Sequence, residues 1–203
     1  MGLRTKTKTF LLKALTKKQV REDFARWESL YGHFDQEEYE QFFVSDLDSE
    51  SCMYHGEIIK WATDLKPKCI LFAGETKETA SRLQKIMHAE KVSTTGLVDS
   101  DYTWDFEKDA PIIEEHFDLI VSQAILEHLL NPYKHVEDLS NLLQKNGHLI
   151  VHTVMPGFLY HRYPIDSVRF FPDWFEEVAL RMNLKVVNKR ISDTHIFYMY
   201  QKR

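Results

Sequence analysis

Phe117-Asp118-Leu119-Ile120-Val121-Ser122-Gln123-Ala124-Ile125-Leu126-Glu127-His128 is followed by Asn131-Pro132 and, after a helical interval, by Leu143-Gln144-Lys145-Asn146-Gly147-His148-Leu149-Ile150-Val151. Phe117–Val121 and His148–Val151 are short apolar runs almost free of polar alternation, the pattern of strands covered on both faces of a parallel sheet. Pro132–Leu143 reads as a helix between them, with proline where a first helical turn tolerates it. Upstream the same texture repeats in Cys69–Phe72, a helix over Lys77–His88, and Gly96-Leu97-Val98. Downstream, a helix from Pro172 carries Phe175, Val178, Ala179 and Met182 on one face, and Leu184–Lys189 and His195–Tyr200 read as two strands joined by Ser192-Asp193-Thr194. Alternating strands and helices imply a doubly wound α/β domain over 67–203.

Residues 1–66 read instead as a helical extension, with Val20, Phe24, Trp27 and Leu30 at helical spacing, a piece over Glu37–Phe43, and Ile58, Ile59, Ala62 and Leu65 along one side of Ser51–Leu65. The 203 residues are 43% hydrophobic and 13% aromatic, which provides for a sizeable core. A formal charge of -5 argues against a duplex nucleic-acid partner. Arg4, Lys6, Lys8, Lys13, Lys17, Lys18 and Arg21 all precede the first acid, Glu22, and surround Phe10, Leu11, Leu12 and Leu15. That segment has three readings: peripheral contact with an anionic membrane, contact with a phosphate-rich partner, or a solvated helix. Two cysteines, Cys52 and Cys69, make no disulfide framework and point to a reducing, cytoplasmic setting. No stretch approaches the roughly 20 apolar residues of a membrane span.

The turn Ala73-Gly74-Glu75-Thr76 lies between a strand and a helix, where an open α/β sheet binds nucleotides, although Thr76 serves equally as a helix N-cap in a plain turn. Asp99, followed by Asp101 and Asp105, stands about 25 residues past Gly74, suited to a ribose diol or to a solvated loop. In His161-Arg162-Tyr163-Pro164-Ile165-Asp166-Ser167-Val168-Arg169-Phe170, the imidazole suits a base near neutral pH, and Asp166 with Arg169 suits a pair that pins the loop. His33, His55, His88, His116 and His135 read as surface residues, and His148 and His152 as core or site-wall residues. No metal is expected, because no His-x-x-x-His or Cys-x-x-Cys pair occurs.

With Phe117-Asp118, Leu126-Glu127-His128, Asn131-Pro132 and Asn146-Gly147 in register, residues 68–203 resemble class I S-adenosylmethionine-dependent methyltransferases of the type 11 or type 23 kind. The resemblance implies a Rossmann-like, mostly parallel seven-stranded sheet ending in an antiparallel hairpin. It implies transfer of a methyl group from S-adenosylmethionine to an oxygen or nitrogen of a small molecule or glycan, with S-adenosylhomocysteine as product. The His161–Phe170 segment resembles a subset associated with natural products and surface glycans. Carried onto this sequence, Ala73 and Gly74 meet the methionine half and Glu75 its ammonium group. Asp99 takes the ribose, Tyr102 and Asp105 lie near the adenine, and Ser122 and Gln123 form the floor. His128 and His161 are the candidate bases, with Asp166 holding the acceptor loop. Only one glycine of the family's cofactor loop is retained, so a non-catalytic binding or scaffold member stays open as the alternative. A nicotinamide-dependent dehydrogenase fits less well, for want of the glycine fingerprint and because of the C-terminal hairpin.

Overall fold

The computed structural model describes residues 18, 56–158, 161, 164–191 and 194–203. Its elements are α1 Gly56–Leu65, β1 Cys69–Ala73, α2 Lys77–Met87, β2 Lys91–Gly96, β3 Tyr102–Thr103, β4 Phe117–Gln123, a 3-10 turn at Leu126–His128, α3 Pro132–Leu142, β5 Leu143–Val154, α4 Pro172–Arg181, β6 Leu184–Ile191 and β7 His195–Lys202. The basic N-terminal segment and the helices read over 17–31 and 37–43 lie outside the described residues, apart from Lys18, which is helical and exposed.

The strands form one seven-stranded sheet in the order β3-β2-β1-β4-β5-β7-β6. β1 to β5 pair in parallel, while β7 runs antiparallel to both β5 and β6. This is the Rossmann-like α/β architecture with a terminal hairpin that the sequence implies. Strand alternation divides the core between two faces. Ile70, Phe72, Leu119, Val121, Ile150 and Phe197 pack against Ile58, Ile59 and Ala62 of α1 and Ala80 and Leu83 of α2. Leu71, Ile120, Leu149, Val151 and Tyr198 pack on the other side against Val136 and Leu139 of α3 and Phe175 and Val178 of α4. Helix α1, assigned to the extension from its sequence, is therefore one of the layers that cover the sheet.

Local chemistry fixes this register. Asp118 accepts from the backbone amides of Lys68 at 2.7 Å and Cys69 at 2.9 Å, which ties the start of β1 to β4. At Gly147 a Cβ would lie 2.9 Å from the Phe117 carbonyl and 3.0 Å from that of Gln144, so only glycine passes the crossing after Asn146. The second strand sits earlier than its expected place at Gly96–Val98: Leu97 and Val98 lie past its end and are 68% and 79% exposed. Ser93, Thr94 and Thr95 are buried in it, and their polarity masks the strand in an apolar pattern. Asp101 meets this cost, accepting from the Thr94 amide at 2.9 Å and its hydroxyl at 3.1 Å. Among the described residues no helix is long and apolar enough to cross a membrane.

Candidate active site

Parallel strands present their carboxyl ends along one edge, and that edge gathers two groups of residues. The first lies at β1 and β2. Gly74, at φ +81, donates its amide to Thr95 O at 2.6 Å, and a Cβ on Gly96 would come 3.6 Å from the Gly74 Cα. The left-handed φ calls for glycine at Gly74, and a Cβ there, 2.8 Å from Ile125 Cδ1, would also push that side chain aside. Ala73 is buried at the end of β1. Thr76 caps α2, its hydroxyl accepting from Thr79 N at 3.2 Å, which turns it to the helix. Glu75 is partly buried and makes no hydrogen bond among the described residues; burial pushes its carboxyl up to about 7.

Beyond β2, the exposed pair Leu97 and Val98 leads to Asp99, exposed and at φ +48. The Asp99 carbonyl accepts from Lys77 N at 3.2 Å, while its carboxylate makes no hydrogen bond among the described residues. Its neighbours are committed elsewhere. Asp101 holds Thr94 and pairs with Lys77 at 3.2 Å, and Asp105 accepts from Glu107 N at 3.2 Å and pairs with Lys108 at 3.3 Å. The Tyr102 hydroxyl donates to Glu115 at 3.4 Å, and Glu115 also binds Lys91 and Cys69 at the starts of β2 and β1. Tyr102 thus points toward the opposite edge of the sheet.

The second group lies at β4, β5 and the segment before α4. Glu127, in the 3-10 turn, is fully buried, and Thr153 of β5 donates to its Oε2 at 2.6 Å. Among the described residues Glu127 Oε1 has no hydrogen-bond partner, and it faces His128 Nε2 at 4.0 Å and His161 Nε2 at 3.9 Å. The two rings meet edge to face, 4.8 Å between centroids. His128 Nδ1 lies 2.5 Å from Ile165 O, and a carbonyl there calls for the Nδ1–H tautomer, leaving the Nε2 lone pair toward Glu127. Ser167 stitches the following loop down, donating through its hydroxyl to Glu127 O at 2.9 Å and Leu129 O at 2.7 Å.

Asp166 grips this loop from inside. Arg169 holds its carboxylate with both terminal nitrogens, Nη2 to Oδ2 at 2.6 Å, and the His161 amide donates to Oδ2 at 2.8 Å. The Arg169 hydrogen bonds, overcoming burial, hold the Asp166 carboxyl well below the usual carboxylate range. Arg162 and Tyr163 of the same segment lie outside the described residues. His161 and Asp166, read from the sequence by residue type, and His128, carried over from the family resemblance, are brought together here. Sequence reasoning gives Glu127, Thr153 and Ser167 no role, and the available signal is an acid set within the apolar run Ala124–Leu130.

Two further placements differ from expectation or qualify it. His135, expected at the surface, is fully buried on the α3 stripe with Leu139 and Leu142, and burial pushes its imidazole down to about 3. Its Nε2 lies 3.1 Å from Ser122 Oγ, so Ser122 is turned beneath the edge into the core. Gln123 ends β4 partly buried. His152 is buried with its Nε2 3.0 Å from His195 Nδ1, and His148 is partly buried, its imidazole lowered by burial.

Residues 60–151 match the family model described as a methyltransferase domain. No curated protein sequence matches the chain. Several solved structures share its fold. An O-methyltransferase family protein from Burkholderia thailandensis is 8% identical with TM-score 0.55; the alignment covers 72% of this chain and 55% of that one, so the chain spans about half its length. A SAM dependent methyltransferase from Aquifex aeolicus is 15% identical with TM-score 0.56, covering 84% and 100%. The N-methyltransferase NodS from Bradyrhizobium japonicum, in complex with S-adenosyl-L-homocysteine, is 11% identical with TM-score 0.52, covering 81% and 97%. At such identities the likeness is one of fold.

Proposed function

We propose that the chain is a class I S-adenosylmethionine-dependent methyltransferase, which binds S-adenosylmethionine at the carboxyl ends of β1 and β2 and methylates an oxygen or nitrogen of a small molecule or glycan; the match of residues 60–151 to a methyltransferase-domain model supports this. The observation that carries this reading is the surface at Leu97, Val98 and Asp99: two exposed apolar side chains beside a carboxylate with no hydrogen bond among the described residues. An apolar face suits a nucleobase and a free carboxylate suits a ribose diol, so these residues fit the cofactor. The close approach of Gly74 to Gly96 leaves backbone without side chains at the neighbouring strand end, which supports the methionine half there.

When bound, the cofactor supplies an electrophilic methyl group on a sulfonium. The chain's own work is alignment of the acceptor and management of its charge. Glu75 would meet the cofactor's ammonium, because a partly buried carboxyl that lacks a partner gains most from a cation. Asp166 and Arg169 hold the His161 segment against the 3-10 turn, and this keeps the Nε2 atoms of His128 and His161 at a fixed place for the acceptor's heteroatom.

Titration calorimetry and a thermal scan with S-adenosylmethionine and S-adenosylhomocysteine test the reading. At about one hundred times its dissociation constant a ligand stabilises the native state by about 2.7 kcal/mol, a visible rise in Tm. No heat and no Tm shift with either compound at millimolar concentration would overturn it.

A further inference from the structure

We propose that Glu127 Oε1, His128 Nε2 and His161 Nε2 form a binding site for one divalent transition-metal ion of the zinc class. The three donor atoms lie within 4.8 Å of one another, with 3.9 and 4.0 Å from the carboxylate oxygen to the two imidazole nitrogens. Tetrahedral ligands around such an ion stand roughly 3.4 Å apart, so a modest rotation of the His161 ring, 37% exposed, closes the set.

Burial makes the cluster more than a chance grouping. Glu127 is fully buried, and among the described residues its Oε1 has no hydrogen-bond partner although Oε2 is met by Thr153. A buried carboxylate oxygen without a partner is costly, and a cation between it and two imidazoles removes that cost. One surrounding bond is of the kind that orients a metal ligand, His128 Nδ1 directed at the Ile165 carbonyl, and the Asp166 carboxylate stands near His161 Nδ1 at 3.8 Å, beyond hydrogen-bond distance. Two imidazoles and one carboxylate favour zinc, cobalt or nickel over magnesium, whose sites are built of oxygens. Three protein ligands also leave positions open for an oxygen or nitrogen of another molecule. This inference goes beyond methyl transfer and does not depend on it. Metal at these nitrogens and proton abstraction by them exclude each other, so any heteroatom arriving here would meet the ion and not a free imidazole.

The test uses the full chain stripped with chelator, then titrated with Zn²⁺ and with Co²⁺ as a spectroscopic reporter, with excess Mg²⁺ as competitor. The expected result is one equivalent of Zn²⁺ or Co²⁺ per chain, indifferent to Mg²⁺. Loss of an outer partner typically costs about 10–100-fold in metal affinity, so loss of a ligand in Glu127→Gln or His161→Ala should cost at least about 100-fold. Glu127→Gln keeps the shape and the acceptor for Thr153, and His161 is partly exposed, so circular dichroism of both should match the parent. His195→Ala, which alters the neighbouring histidine pair, should leave affinity unchanged. Absence of binding at millimolar Zn²⁺, binding retained in both ligand variants, displacement by Mg²⁺, or loss in His195→Ala instead would each overturn the proposal. Zinc bound by a chain that takes up no S-adenosylmethionine would leave this site standing and the proposed function fallen.

Discussion

Thr153 of β5 donates its hydroxyl to the Glu127 carboxylate at 2.6 Å, and both side chains are fully buried. The bond joins the end of β5 to the turn that carries His128, so it positions the acceptor side of the site. In the metal-free chain, removing the donor would leave the buried carboxyl without a hydrogen bond from the described residues at either oxygen. Thr153→Val should therefore cost about 2–3 kcal/mol, and Thr153→Ser, which keeps the hydroxyl, distinctly less. Urea denaturation checks this, and equal midpoints for Val and Ser would show that the hydrogen bond contributes nothing.

Asp166 has a side chain only 1% exposed, against 21% for Arg169, so the pair read from sequence as a loop clasp is covered at its carboxylate and open to water at its guanidinium. Surface pairs contribute about 0–1 kcal/mol, whereas breaking a buried pair costs about 3–5 kcal/mol. Asp166→Asn should fall between the two ranges, at about 2 kcal/mol, since Arg169 can still reach water. Arg169→Lys should also destabilise, because an ammonium cannot match both carboxylate oxygens. A denaturation midpoint unchanged in both variants would contradict the packing seen here.

Glu75 gives the fold a pH dependence of definite sign. Burial raises its carboxyl from 4.5 to about 7, so the folded chain binds that proton more tightly than the unfolded chain. Its contribution is most favourable below about pH 4.5, declines as pH rises toward 7, and is level above that. Glu75→Gln removes the decline, and at pH 8 without ligand the variant should be more stable than the parent by about 1–3 kcal/mol. Thermal scans from pH 4.5 to 8 would show the two curves converging toward acid; parallel curves would mean that the carboxyl is solvated.

The sheet was legible where strands are apolar and opaque where they are not. Phe117–Val121 and His148–Val151 announce themselves by composition, and Asp118 and Gly147 mark their register. The Ser93-Thr94-Thr95 strand is hidden because the group that makes its burial tolerable, Asp101, stands seven residues further on. Tyr102–Thr103 pairs for only two residues and leaves no periodic trace. At the site, histidines and an Asp–Arg pair can be picked by type, yet Glu127 draws its meaning from Thr153 and Ser167, 26 and 40 positions away. His135 was misplaced for a related reason. A histidine counts as polar in a helical pattern, but Ser122, thirteen residues earlier, supplies the partner that lets it be buried.

The aspartates after β2 differ in what they are doing, and that difference predicts which one a ribose would use. Asp101 accepts from Thr94 and pairs with Lys77, so Asp101→Asn should lower Tm while changing S-adenosylhomocysteine affinity little. Asp99 is exposed, and its carboxylate is uncommitted among the described residues. Asparagine tolerates the left-handed conformation that Asp99 adopts at φ +48, so Asp99→Asn should keep the parental Tm without ligand. Hydrogen bonds to a charged acceptor are worth about 1.5–3 kcal/mol each against about 0.5–1.5 for neutral ones, so two to a diol predict at least about a tenfold loss of affinity. Calorimetry of both variants with S-adenosylhomocysteine separates the roles. Parental affinity in Asp99→Asn, with a loss in Asp101→Asn beyond what its Tm explains, would move the ribose contact to Asp101 and leave Asp99 an ordinary loop residue.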